Sequence, residues 1–289
     1  MLKTEIDSLL PGRGFSRRDF VGTAVGSGFA AAVLPVGAQT ISTDAQGLEA
    51  GPVSIPVGGF QMPAYRAAPK GKKNAPVVLV LSEIFGVHEH IADVARRFAK
   101  AGYFAVAPEL FVRQGDAKAY SEIGKLVADV ISKVPDAQVM ADLDATVAWA
   151  KTQGADTARL GVTGFCWGGR STWLYAAHNP AVKAGVAWYG RLVGQSNALT
   201  PKNPVDLAGQ LKAPVLGLYG GQDGGIPVST VATMQEALAQ GSAAAKASEF
   251  VLFKDAPHAF HADYRPSYRA AEAKEGWARC LDWFKTHGV

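Results

Sequence analysis

The sequence predicts an α/β fold with a mainly parallel central sheet and helices on both faces. Three observations carry that expectation. Apolar β-prone runs alternate with segments of helical period, several of those runs are apolar without interruption, and no linker breaks the series after residue 53. A strand whose side chains are all apolar needs cover on both faces, which crossover helices between parallel strands supply.

The elements follow in order. Residues 53–65, VSIPVGGFQMPAY, are two short β-prone runs around Gly58-Gly59, a hairpin signal. APVVLVLSEIFG is then a buried strand that ends at a charged residue, Glu83. A helix follows with Ile91, Val94, Ala95 and Phe98 on one face and Gly102 as its stop. YFAVAPEL (103–110) is the next strand, and helical period returns over 120–152, where Pro135 divides two helices. ARLGVTGF (158–165) is a third buried strand, followed by a helix from Trp167 to His178. Strands at 182–190 and 213–221, a helix near 227–240, the strand SEFVLF and a long helix from Pro266 complete the series. Residues 53–289 therefore read as one domain, preceded by a linker over 39–52.

Residues 1–38 read as a twin-arginine export signal. Ser16-Arg17-Arg18-Asp19-Phe20 precedes a Gly- and Ala-rich apolar run over 21–36, and Val36-Gly37-Ala38 supplies small residues for a cut site. The run is too short and glycine-rich to serve as a membrane span, so no stable insertion is expected once it is removed. A mature bacterial periplasmic protein, monomeric, is the expectation. The signal carries four basic and three acidic residues, so its removal takes the formal charge from +4 to +3. Acidic residues interrupt the basic ones throughout, which excludes a nucleic-acid footprint. There is no repeat and no heptad array. No strand is followed by G-x-G-x-x-G, and the two cysteines lie 114 positions apart, so neither cofactor nor metal is expected.

In sheets of this kind, chemistry gathers at the carboxyl ends of strands. Cys166 ends a predicted strand and opens a helix in GFCWGG (164–169), where the helix N-terminus favours thiolate. Alone, the pattern suits a buried structural thiol as well as a nucleophile. Asp223, in GGQDGGIP, and His258, in KDAPHAFHADY, each follow a later strand, giving the order nucleophile, acid, histidine of α/β-hydrolases. Asp255 and His261 are the nearest rivals, but Asp255 lies too close to His258 in sequence to orient it from a neighbouring loop. In the expected mechanism, His258 takes the thiol proton and later returns it to the leaving oxygen; water then hydrolyses the acyl-thioester. The backbone N–H groups of Trp167 and Ile84 are the candidate oxyanion donors. Cys280, in a helical C-terminal stretch, reads as a small core residue, and a disulfide to Cys166 is not expected.

With these pieces in place the chain resembles the dienelactone hydrolase (carboxymethylenebutenolidase) family of α/β-hydrolases. The resemblance rests on EIFGV (83–87), PELFVRQ (108–114), GFCWGG (164–169), GGQD (220–223) and PHAF (257–260). It implies Cys166, Asp223 and His258 as the catalytic positions. It also implies that Glu83 contacts the thiol and helps govern its ionisation, and that Arg113 binds a substrate carboxylate. Phe85, in the same EIFGV piece, is a further substrate-binding candidate. One departure stands out. The family pattern places a second carboxylate-binding arginine four residues after the histidine, where this chain has Ala262; Ala259 stands where well-known members carry serine. Tyr264 or Arg265 is the candidate replacement. The expected function is hydrolysis of small lactones or esters, anionic ones included, without a cofactor. The competing readings are a thioesterase or peptidase on the same scaffold, and a periplasmic ligand-binding protein without turnover.

Overall fold

The computed structural model of the protein describes residues 41–289, so the export-type segment 1–38 lies outside the described residues. Eight strands form one sheet in the order β1-β2-β4-β3-β5-β6-β7-β8. β1 (Leu48–Val57) and β2 (Phe60–Pro69) make the expected hairpin, whose two-residue turn Gly58-Gly59 has φ of 54° and 84°. Positive φ at both turn positions is what a hairpin turn that follows the strand twist demands, and glycine adopts it without strain. β2 pairs antiparallel with β4 (Phe104–Pro108), and every further pairing is parallel.

The uninterrupted apolar runs fall in the middle of the sheet. All six residues of β3 (Pro76–Leu81) are buried, as are the last six of β5 (Asp156–Phe165). β6 (Val182–Trp188), β7 (Val215–Gly220) and β8 (Glu249–Phe253) extend it to the far edge. On one face lie α1 (Glu89–Lys100) and the C-terminal helix, which meet through Phe98, Trp277 and Phe284. On the other face α3 (Asp136–Thr152) and α4 (Trp167–His178) are tied by the Arg170–Asp136 fork and by Tyr175 donating to Asp144. The short α2 (Ile123–Asp129) precedes α3, and Pro135 sits at the N-cap of α3, the break expected between two helices. Two short helices, α5 (Pro204–Leu207) and α7 (Ala243–Lys246), flank α6 (Val228–Ala239), and α8 (Ala270–Thr286) closes the chain. No helix among the described residues is long and apolar enough to cross a membrane.

Among the boundaries that differ from expectation, two bear on the site. β1 begins at Leu48, inside the stretch expected as a linker over 39–52, because residues 48–52 pair with residues 65–69 of β2. Gly51 and Pro52 interrupt its apolar alternation, which hides the strand from periodicity. The residues before it are fastened too: the Ile41 N–H donates to the Asp263 carboxylate at 3.2 Å and the Thr43 N–H to Asp93 at 2.5 Å. α8 begins at Ala270, not at Pro266, because a series of turns from Ala259 to Tyr268 takes the intervening residues. The Arg269 N–H closes that series on the Phe260 carbonyl at 2.9 Å.

Candidate active site

Cys166 sits between β5 and α4 with φ 52° and ψ −111°, a conformation that costs a non-glycine residue roughly 1–3 kcal/mol. Its neighbours show how the turn is made. A Cβ on Gly164 would lie 2.2 Å from the Gly168 carbonyl oxygen, and one on Gly168 would lie 2.3 Å from that of Leu81. Backbone packs directly on backbone there, so only glycine fits two positions either side of the cysteine. The Cys166 N–H donates to the Trp188 carbonyl at 3.0 Å, which seats the turn against the end of β6. Trp167 is the first residue of α4, where helix geometry leaves the N–H without an intrahelical acceptor. Ile84 is fully buried in the loop after β3.

Asp223 and His258 meet from the loops after β7 and β8. Asp223 Oδ1 accepts from the N–H groups of Gly225 (2.9 Å) and Ile226 (3.1 Å), which leaves Oδ2 to accept from His258 Nδ1 at 2.7 Å. The glycines of GGQD allow the approach. A Cβ on Gly220 would lie 2.3 Å from the Ala256 carbonyl oxygen, and one on Gly221 would lie 2.4 Å from that of Lys254. Burial lowers the pKa of His258, but the charges of Asp223 and Cys166 outweigh it and hold the imidazole well above its ordinary value. Nε2 is buried and makes no hydrogen bond of standard geometry.

Glu83 forms the second half of the site. Its Oε2 accepts from the Tyr264 hydroxyl at 2.5 Å, and Arg265 Nη1 stands 4.0 Å from the same oxygen. Both partners are buried, and Arg265 also lies over the Phe85 ring, 5.8 Å from its centroid. Burial, then the nearby Glu83, push the Tyr264 hydroxyl well above its ordinary pKa, so it donates and stays neutral. Glu83 Oε1 makes no hydrogen bond, so none joins it to the Cys166 thiol.

Not every expected residue joins the site. Arg113 is engaged elsewhere: Nη1 and Nη2 fork onto Asp142 at 2.6 and 2.8 Å, and its guanidinium lies over the Phe60 ring, 4.7 Å from the centroid. The carboxylate of Asp142 is buried within α3, and Arg113 supplies its counter-charge. His261, the rival to His258, stacks on Phe165, packs at a tilt against Trp188 and is part of the core. Both cysteines are free, and burial raises the pKa of Cys280 far above its ordinary value, leaving that thiol inert.

Tyr189 escaped the reading of the sequence. It follows β6 directly at φ 38°, packs edge-on against His258 with ring centroids 5.1 Å apart, and buries a hydroxyl that makes no hydrogen bond. Burial first, and then Glu83, Tyr264 and Cys166, raise its pKa, which places the hydroxyl among the groups of both halves. The available signal was positional: a polar aromatic one residue past a largely buried strand, at the level of the cysteine.

The sheet order and the strand-end turn at Cys166 define an α/β-hydrolase. The chain belongs to the dienelactone hydrolase family, whose sequence profile matches residues 62–288. It is 63% identical over 287 residues to a Methylorubrum extorquens protein called "Putative carboxymethylenebutenolidase", with 99% of this chain and 98% of the relative covered. An Escherichia coli protein of the same name is 54% identical over 263 residues, covering 91% of this chain and 96% of its own. A crystal structure from Klebsiella pneumoniae described as a "Putative Dienelactone Hydrolase" superposes with a TM-score of 0.80 at 56% identity, over 82% of this chain and 98% of that one. The protein is a hydrolase of esters or lactones.

Proposed function

We propose that this enzyme hydrolyses small carboxylate-bearing lactones or esters with Cys166 as nucleophile. The observation that carries the reading is the 2.7 Å bond from His258 Nδ1 to Asp223, made beside a cysteine on a strained strand-end turn. His258 Nε2 accepts the thiol proton, and the thiolate attacks the carbonyl carbon to form a C–S bond. The N–H groups of Ile84 and Trp167 receive the developing oxyanion. Collapse breaks the C–O bond, and the imidazolium returns its proton to the leaving alkoxide or enolate oxygen. Water, deprotonated by His258, then attacks the thioester, and its collapse releases the carboxylate and the thiol.

Two observations support an anionic substrate. Arg265 brings a buried guanidinium to Glu83 and Phe85, and a guanidinium fork matches a carboxylate. The name carried by the two curated relatives denotes a hydrolase of a carboxymethylene butenolide, a lactone that bears a carboxylate. Segment 1–38, with its paired Arg17 and Arg18, supports export of the enzyme.

The test uses purified enzyme, a p-nitrophenyl ester, and an enol lactone with and without a carboxylate. Turnover is expected to stop as iodoacetamide modifies Cys166, and the carboxylated lactone is expected to show the lower KM. Full modification of Cys166 with turnover intact would end the nucleophile assignment; equal KM values would end the anionic one.

A further inference from the structure

Behind the Glu83 cluster lies a second buried ionic network that the hydrolytic steps do not use. Asp263 is completely buried, and both of its carboxylate oxygens are engaged. Oδ1 accepts from His90 Nδ1 at 3.0 Å; Oδ2 accepts from Arg97 Nη2 at 2.8 Å and from the Ile41 N–H at 3.2 Å. His90 and Arg97 belong to α1, the helix that follows the Glu83 loop. Ile41 belongs to the N-terminal segment, which α1 grips along its length. Thr43 donates to Asp93 and accepts from Arg96 Nε at 2.7 Å, and Lys100 Nζ reaches both Asp44 (2.8 Å) and the Gln46 carbonyl (2.7 Å).

Three stretches of chain thus converge on one carboxylate, and the next two residues, Tyr264 and Arg265, are the ones that engage Glu83. Resting on the nucleophile reading above, we propose that Asp263 is a positioning residue whose donor set is closed by the strap 41–46. It holds the loop so that Tyr264 and Arg265 meet Glu83, and through them it sets the reactivity of the Cys166 thiol. Consecutive Cα atoms are about 3.8 Å apart, so a loop released at Asp263 moves Tyr264 with it. A shift of about 1 Å takes a hydroxyl out of hydrogen-bond range, and displacements of that size at a site cost roughly 100-fold in rate.

The charged surroundings suit an anchor that is always set. Burial raises the pKa of Asp263, but His90 and Arg97 outweigh it and bring it down to about 2. His261 and Tyr268 flank it on its own loop; Tyr189, just past β6, faces both Glu83 and Cys166. Asp263 is therefore ionised throughout the working range and acts as a fixed support.

Two variants test the proposal on the purified enzyme. Asp263→Asn removes the charge. Ile41→Pro removes the backbone N–H, along with an isoleucine side chain at a position that is 43% exposed, so folding is not at stake. The measurements are kcat and KM on p-nitrophenyl acetate, which has no carboxylate, and the rate of Cys166 alkylation by iodoacetamide against pH. Asp263→Asn is expected to lower kcat by about 10- to 100-fold at unchanged KM and to move half-maximal alkylation to higher pH, as the Arg265 charge that acts on Cys166 moves away. Ile41→Pro is expected to act in the same sense by several-fold. A wild-type kcat and alkylation profile in Ile41→Pro overturns the proposal whether or not Asp263→Asn folds. So does a lower Tm in Asp263→Asn with both readouts unchanged, since the network would then be only a brace. Wild-type turnover that survives full alkylation of Cys166 brings down the nucleophile reading itself, and this inference with it.

Discussion

Cys166 stands one residue beyond β5, Asp223 three beyond β7 and His258 five beyond β8, whereas Tyr264 and Arg265 stand eleven and twelve beyond β8. The first three inherit their positions from the register of neighbouring strands and from glycines that let backbone touch backbone. The other two lie deep in a loop that the adjacent Asp263 ties to α1 and to the N-terminal segment. A position set by the sheet changes little unless the sheet changes. One set by a handful of polar contacts shifts with each of them. The strand-end line should therefore fail completely when a member is lost, and the loop cluster should fail by degrees.

Cys166→Ala is the sharpest way to break this contrast: turnover of a p-nitrophenyl ester is expected to fall by about 10⁴-fold or more. Asp223→Asn keeps the shape but leaves His258 without its charged partner, with an expected loss in kcat of about 10³- to 10⁴-fold. Tyr264→Phe, by contrast, deletes one hydrogen bond to Glu83 and leaves Arg265 in place, so kcat is expected to fall only about 10-fold. A loss as deep as that of Asp223→Asn would abolish the distinction between the two halves.

Smaller effects sharpen it outside the chemistry. Arg113→Gln strands the buried Asp142 carboxylate, and thermal unfolding should show a loss of about 2–3 kcal/mol while KM for an anionic lactone stays within about twofold of wild type. The Asp263 network should appear in acid unfolding. Its folded pKa of about 2 lies below the reference 3.8, so the stability it confers is present above 3.8 and is lost as pH falls toward 2. The amount is about 2 kcal/mol, and Asp263→Asn should flatten that stretch of the stability–pH curve.

Much of this organisation was legible in advance. The buried strands, their alternation with helices and the placement of Cys166, Asp223 and His258 all stand where local pattern puts them, because strand ends are marked by a change from apolar run to glycine and charge. The helix opening at Trp167 and closing at His178 has the expected bounds. The start of β1 was hidden because Gly51 and Pro52 break its alternation. The partner of Arg113 was hidden because a motif shows an arginine but not which carboxylate it meets; Asp142, 29 positions away, takes it. Tyr189 and Asp263 carry no motif at all, and their importance lies wholly in what the fold brings beside them.

The amino-acid sequence by itself determined the sheet, its direction and the turn that strains Cys166, since these depend on hydrophobic period and on glycines close together along the chain. Tertiary structure alone decided which arginine serves Glu83, which carboxylate each cation answers, and how residues 41–46 reach the loop that bears Tyr264. Those outcomes rest on ion pairs and hydrogen bonds between residues up to 222 positions apart, whose energies depend on distance and burial in space.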